Sequence, residues 1–546
     1  MQSTMMDVPL SLNALLERAG RHFRDAEVHS RLPDKRVVTR RYGEVHRRAR
    51  QLAQALRERA GVQPGDAVAT LCWNHAWHLE CYFGIPAAGA VLHTLNLRLS
   101  PEDLAYILED AGDRVLIVDD VLLPVWDKVR PLLKQPPRVV VVPFGGPPPA
   151  QGLPAGLEGY EAFIDTDASA YQYPELPETA AAGMCYTSGT TGHPKGVVYS
   201  HRSMVLHAVT GCMPDLFGLS SRERVLVVTP MFHANAWAIP FSALMVGATL
   251  VLPGPHLGGE DVLDLLESSQ ATMSLGVPTV WMMVLQALEQ PTRPRRFSPG
   301  LRMLVGGAAV PVSLVERFAR QGMTVLQGWG MTETSPLGAF TLFTPRHDAL
   351  PEAARHQRVA MQGVAVPLVD LRIADEDGRA QPWDGVAVGE VQVRGNWITG
   401  RYHGVADDAG RFTADGWLRT GDMATLDPDG CMRIVDRSKD LIKSGGEWIS
   451  SVDLENLAMG HPGVAEAAVV AIAHPKWGER PLVVAVRRPG ATVGDAELRA
   501  HLAPRLARFQ VPDDYEWVDA LPKTSTGKFL KTRLRELYRD RVSQTP

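Results

Sequence analysis

Ten residues from Thr187 to Gly196, TSGTTGHPKG, gather hydroxyls, glycines and one lysine in a pattern suited to holding phosphate. Gly189 and Gly192 let the backbone turn so that its N–H groups converge on an anion. Thr187, Ser188, Thr190 and Thr191 add hydroxyl donors, and Lys195 adds positive charge. The order is not that of a Walker A loop, GxxxxGKS/T, where the lysine follows the second glycine and a helix starts directly behind it. Here Lys195 precedes Gly196. A Gly/Ser/Thr cluster by itself also suits a polar turn between two strands, so partners elsewhere in the chain must decide.

Three further loops are candidates. The runs Val225 to Val228, Thr249 to Leu252, Met303 to Val305 and Thr324 to Leu326 read as apolar strands. Several feed directly into unusual sequences: PMFHANAW (230–237), GGAAV (306–310) and QGWGMTET (327–334). In open α/β sheets ligands lie beyond the carboxyl ends of the strands, so these loops could share one crevice.

The elements around them alternate. Residues 10–60 read as mainly helical, with Leu12, Leu15 and Leu16 at helical spacing and an amphipathic run from Val45 to Ala60. Val68 to Cys72 reads as a buried strand, a helix is expected over about Trp77 to Ala88, and Ser100-Pro101-Glu102-Asp103 is a helix start. With short strands at Leu116 to Val118 and Val139 to Val142, this predicts a largely parallel, helix-covered sheet. Pro143 to Pro154 reads as a surface loop. From about Asp370 the pairs Asp377-Gly378, Asp415-Gly416 and Asp429-Gly430 suit hairpins of a β-subdomain. Beyond Arg437, strands at Val464 to Ile472 and Leu482 to Arg487 alternate with helices near Ser451 to Ala458 and Ala496 to Ala507, a compact α+β unit of about 110 residues.

The whole chain bounds the answer. With 546 residues, 45% of them apolar, it can bury a large core in two or more domains. A formal charge of −5 with no long basic tract gives no support to a nucleic-acid partner. The five cysteines, Cys72, Cys81, Cys185, Cys212 and Cys431, form no CxxC pair, so neither a zinc site nor a disulfide framework is suggested. No run approaches the ~18 apolar residues of a spanning helix, and the first residues lack the basic and apolar regions of a leader, so a soluble cytoplasmic protein is expected.

Taken in order, TSGTTGHPKG, QGWGMTET, GWLRTGD, DRSKDLIKSGG and PKTSTGK resemble the adenylate-forming acyl- and aryl-CoA synthetases, over nearly the whole chain. The wording PMFHANAWAIP and MTETSP is most similar to bacterial medium- to long-chain fatty acyl-CoA synthetases. The resemblance implies an α/β fold: a large N-terminal domain, 1–437, of helix-covered sheets plus a β-subdomain, and a small mobile α+β C-terminal domain, 438–546. It implies ATP, Mg²⁺ and coenzyme A, with the acid first joined to AMP and then to the thiol. Family relatives are often dimers, which makes a homodimer an expectation by analogy.

Site roles follow from the same resemblance. Lys528 would lie between substrate carboxylate and α-phosphate, where negative charge builds. The Thr332 hydroxyl would bond the α-phosphate and Glu333 would help hold Mg²⁺. Asp422 would accept from the ribose hydroxyls, and Arg437 would add a donor nearby. Gly306, Gly307 and Ala308 would line the adenine, with Gln327, Gly328 and Trp329 also at the nucleotide. His233 would wall the acyl site and Trp237 would gate the acyl channel. Lys439 would be the hinge, and Ser444, Gly445, Gly446 and Glu447 would line the pantetheine tunnel after domain rotation. Either Asp422 or Arg437 could instead be half of a surface ion pair, and Thr332-Glu333 could merely cap a helix. Other functions stay open: ligation of an aryl, branched or sulfur-containing short acid, carrier loading, a luciferase-like oxidation, or nucleotide binding without catalysis.

Overall fold

In a computed structural model, which describes residues 1–146, 153–187, 193–405, 410–445, 447–524 and 528–543, two large sheets enclose a layer of helices. The first sheet has nine strands, and its six central ones run parallel: Thr324–Gly330, Arg302–Gly306, Met273–Gly276, Arg224–Val227, Thr249–Leu252 and Glu27–Arg31. The second has seven strands, all parallel except the antiparallel edge Gly196–Ser200. Helices Tyr42–Glu58, Ala76–Ala87 and Ile239–Val246 fill the space between them, in one core with Leu250 of the first sheet and Val140 of the second.

The helix Ala76–Ala87 shows why this layer is central. Every one of its residues is buried, which marks a helix enclosed on all sides. Each large apolar side chain so buried contributes about 1.5–3 kcal/mol. Its first turn is capped by His75, whose Nδ1 accepts from the His78 N–H at 3.1 Å while Nε2 bonds Asp119 at 2.8 Å. Cys72, His75 and Asp119 are the one group of three metal-ligating side chains among the described residues. With both imidazole nitrogens engaged, the group serves the fold. All five cysteines are free.

The structure refines one expectation and corrects another. Residues 10–60 are mainly helical as expected, but a hairpin of Glu27–Arg31 and Val37–Arg41 lies between the helices Leu12–His22 and Tyr42–Glu58. Glu27–Arg31 pairs in parallel with Thr249–Leu252, Val28 against Leu250, a partner too distant in the chain to be read locally. The strands near Val68, Leu116 and Val139 do share one parallel sheet, the second of the two. The helix foreseen to Ala507 ends at Leu502, where Pro504 turns the chain into a 3₁₀ segment. Pro143 to Pro154 lies partly outside the described residues.

A four-stranded antiparallel sheet follows, from Val369–Ala374 to Met432–Arg437. A further five-stranded sheet begins at Ile442–Ser444 and is covered by the helices Ser451–Met459 and Asp495–Leu502. No described helix is long and apolar enough to cross a membrane.

Candidate active site

The loops expected to share a crevice do share one. His233, Trp237, Gly306, Gly307 and the stretch from Gly328 to Glu333 all line a cavity of about 410 Å³, which Thr187, Lys195 and Lys528 also face. An adjoining cavity of about 260 Å³ adds Ala308, Gln327 and Asp422.

Backbone geometry forces these groups together. A β-carbon at Gly330 would sit 1.6 Å from the Pro336 carbonyl oxygen, so only glycine permits the reversal that presents Thr332 and Glu333 in a 3₁₀ turn. Thr332 is then tied to the side of the cavity that carries the Thr187 to Lys195 loop, because its carbonyl accepts from the Tyr199 hydroxyl at 2.8 Å. That loop closes at its base: the Thr187 N–H donates to the Lys195 carbonyl at 2.9 Å, and the Lys195 N–H to Thr187 Oγ1 at 3.1 Å. Ser188, Gly189, Thr190, Thr191 and Gly192 lie outside the described residues.

On the apolar side, Ala234, Asn235, Ala236, Trp237 and Ala238 all have positive φ, from 43° to 60°. None is glycine, and a left-handed residue costs about 1–2 kcal/mol, so this turn is strained and held by burial of its neighbours. It brings the Trp237 ring to 3.1 Å from where a β-carbon at Gly306 would lie. Phe217 and Phe340 close the same lobe, their rings 5.4 Å apart and edge to face.

Asp422 and Arg437 are paired with each other, Arg437 Nε standing 2.8 Å from Asp422 Oδ1 on neighbouring strands. The carboxylate is 3% exposed, and its other oxygen accepts from Trp329 Nε1 at 2.9 Å. Opposite them stands Lys528, brought in by the C-terminal segment, with its Cε 3.6 Å from the position of a β-carbon on Gly307.

Residues 16–403 match the AMP-binding enzyme family, and residues 453–528 match the AMP-binding enzyme C-terminal domain. The chain belongs to the AMP-binding enzymes. Along 541 residues it is 49% identical to a long-chain-fatty-acid–CoA ligase of Thermus thermophilus, covering 98% of this chain and 97% of that one. It is 44% identical to a 3-methylmercaptopropionyl-CoA ligase of Ruegeria pomeroyi, covering 99% of each. It is 42% identical to a medium-chain-fatty-acid–CoA ligase of Ectopseudomonas oleovorans, covering 99% and 98%. Among solved structures, an anthranilate CoA ligase in complex with anthranoyl-AMP superposes with a TM-score of 0.84 at 25% identity, covering 97% and 98%.

The electrostatics of this AMP-binding enzyme centre on Lys528. Burial and the charge of Arg437 push its ammonium down to about 8, against the pull of Asp422 and Glu333. His233 is pushed down to about 4 by burial and by the Lys528 charge, so at neutral pH it is an uncharged wall. Burial also lowers Lys439, with Arg437 and Arg535 acting in the same direction.

Two residues that line the cavity escaped sequence reasoning. Glu333 Oε1 accepts from the Tyr402 hydroxyl at 2.6 Å and from Arg411 Nη2 at 3.3 Å, while Arg411 Nε donates to the Tyr402 hydroxyl at 3.0 Å. The Tyr402 ring in turn lies 4.7 Å from Lys195 Nζ, a cation over its face. Both residues sit in short polar stretches, GRYHG and GRFTADG, with no spacing to mark them.

Other expected residues lie differently. The Gln327 side chain turns to the Val359 and Ala360 carbonyls and Gln362, leaving its backbone to line the smaller cavity. Ser444, Gly445 and Glu447 line neither cavity. Ser444 accepts from Arg480 at 3.2 Å, and Gly445, at φ +62°, lies against the Trp477 ring. Gly446 is outside the described residues.

Proposed function

We propose that this enzyme joins a carboxylic acid to coenzyme A through an acyl-adenylate, releasing pyrophosphate and AMP, and that the acid is an unbranched medium- or long-chain fatty acid. The observation that carries this reading is the meeting of Lys528 with Thr332, Glu333 and Lys195 in one cavity whose other end is apolar.

The chemistry follows from charge. An acid carboxylate attacking the α-phosphate must bring two anions together, and negative charge gathers on the oxygens of the pentacoordinate phosphorus and on pyrophosphate as its bond breaks. Lys528 would stand between the two, where its ammonium is attractive to both. Thr332 would donate to the α-phosphate, while Lys195 would meet the departing pyrophosphate. Glu333 offers hard carboxylate oxygens suited to Mg²⁺, which when bound would neutralise phosphate charge. Asp422, held by Trp329 and Arg437, would accept from the ribose hydroxyls.

In the second half-reaction the thiol gives up its proton to water, its sulfur attacks the acyl carbonyl, the thioester C–S bond forms, and AMP leaves with the electrons of the acyl–oxygen bond. Lys528 and its arm would obstruct that approach, so the segment after Lys439 would rotate and bring the Ser444 to Glu447 turn to the site. Free thiols throughout suit a cytoplasmic setting.

The apolar lobe supports a fatty acid: Trp237, Phe217, Leu304, Leu337 and Phe340 offer no charge to a second polar group. The relative from Ruegeria keeps a short thioether acid in view. Rates of acyl-CoA formation across straight-chain acids from acetate to palmitate, with 3-methylthiopropionate and benzoate alongside, test the assignment. The expected optimum lies at eight carbons or longer. A best substrate among the short thioether or aryl acids contradicts it.

A further inference from the structure

The chain on either side of Lys439 meets at one buried corner. On the near side, Asp436 is the last residue but one of the four-stranded sheet and is 1% exposed. Its Oδ2 accepts from both the N–H and the hydroxyl of Ser451, at 2.7 and 2.6 Å, and Ser451 opens the first helix beyond Lys439. Ser450 caps that helix, accepting from the Asp453 N–H at 3.0 Å, and donates its own hydroxyl to the Val435 carbonyl. On the surface above, Arg433 reaches both oxygens of Asp453, at 2.9 and 2.8 Å.

The same corner holds the arm that carries Lys528. Lys531 Nζ donates to Ser451 Oγ at 2.6 Å and pairs with Glu455 at 2.8 Å. Lys531 is three residues past Lys528, and the turn between is stiff: the Thr524 N–H donates to the Lys528 carbonyl at 2.7 Å, and the Leu530 N–H to the Pro522 carbonyl at 2.8 Å. A continuous path therefore runs from Asp436 through Ser451 and Lys531 to Lys528. Among the described residues, Ser451, Lys531 and Glu455 are matched to one another here. Ser451 Oγ gives its proton to Asp436 and takes one from Lys531, and Glu455 Oε1 also accepts from the Val469 N–H at 2.7 Å.

We propose that Asp436 is a positioning residue of the adenylation half-reaction, docking the mobile segment through Ser451 and Lys531 so that Lys528 enters the site. The proposal rests on the ligase reading for its kinetic consequence. Rotation after Lys439 separates Asp436 from Ser451, so the dock serves only the first half-reaction. Asp436 Oδ1 also accepts from the Arg437 N–H at 2.8 Å, a bond that stays in either pose, so the two Ser451 donors are the part that favours one pose over the other.

The test compares wild type with Asp436→Ala, Asp436→Asn and Ser451→Ala. Acid-dependent pyrophosphate release and the conversion of supplied acyl-AMP plus coenzyme A to thioester are measured separately. In Asp436→Ala, pyrophosphate release is expected to fall about tenfold or more while thioester formation stays within about twofold. Asp436→Asn, which keeps an acceptor for the Ser451 N–H, recovers part of the loss, and Ser451→Ala shows a smaller fall in the same direction. Trypsin nicking at Arg437, Lys439 and Lys443 provides a readout independent of chemistry, and it is expected to quicken in Asp436→Ala at unchanged melting temperature. Equal loss of both half-reactions, or nicking no faster than wild type, overturns the proposal. A wild type that yields neither product overturns the ligase reading, and the nicking comparison still decides the dock.

Discussion

The Tyr402 hydroxyl donates to Glu333 across 2.6 Å, and this bond fixes which way the carboxylate faces. Glu333 is 5% exposed, with Arg411 sharing the same oxygen. Tyr402→Phe removes the bond without changing the ring beneath Lys195. It is expected to raise the Mg²⁺ concentration for half-maximal pyrophosphate release several-fold and to spare thioester formation from supplied acyl-AMP. A metal titration of both activities checks this, and an unchanged Mg²⁺ requirement counts against the role given to Glu333.

Asp422 holds Trp329 with one oxygen and Arg437 with the other. Asp422→Asn weakens the second contact and removes the anion that would take the ribose hydroxyls. The KM for ATP should rise about tenfold, equivalent to about 1.4 kcal/mol, with the KM for the acid little changed. A rise in the acid KM instead places the nucleotide elsewhere.

Phe217 is fixed as a floor, its carbonyl accepting from Arg302 Nη1 at 2.6 Å and its ring set against Phe340. Phe217→Ala deepens the apolar lobe and is expected to shift the best acid to a longer chain, at a stability cost of about 3 kcal/mol. Trp237→Ala, measured with the same acids, should broaden the profile. Unchanged length preference in both removes these residues from the acyl site.

In the proposed adenylation Lys528 acts as an ammonium between two anions, and burial lowers it to about 8. The kcat/KM for pyrophosphate release should therefore fall as pH rises through about 8 in the free enzyme. Stability moves the other way. Between about 8 and the ordinary lysine value of 10.5 the unfolded chain holds a proton that the folded chain has released, so rising pH favours folding across that window. A pH–rate profile flat to 10 contradicts the assignment.

Much of this was legible in the letters. Gly306, Trp329, Thr332 and Lys528 announced themselves by motif, and the strands leading to them by apolar runs bounded by loops. What the letters hid was contact at long range. Glu27–Arg31 gives no hint that it belongs beside Thr249–Leu252, and Tyr402 and Arg411 gain meaning only when a distant Glu333 arrives between them. The left-handed turn through Ala234 to Ala238 was hidden for another reason: no glycine marks it, and burial enforces what local preference opposes.

The central claim is that Lys528 serves one half-reaction and withdraws for the other. Pyrophosphate release and thioester formation should be followed in parallel for wild type and Lys528→Ala, with ATP, Mg²⁺, coenzyme A and the best acid. The account predicts a variant that hardly adenylates, down by about 100-fold or more, yet converts supplied acyl-AMP to acyl-CoA at close to the wild-type rate. A variant that releases pyrophosphate normally, or that loses both steps alike, would contradict it.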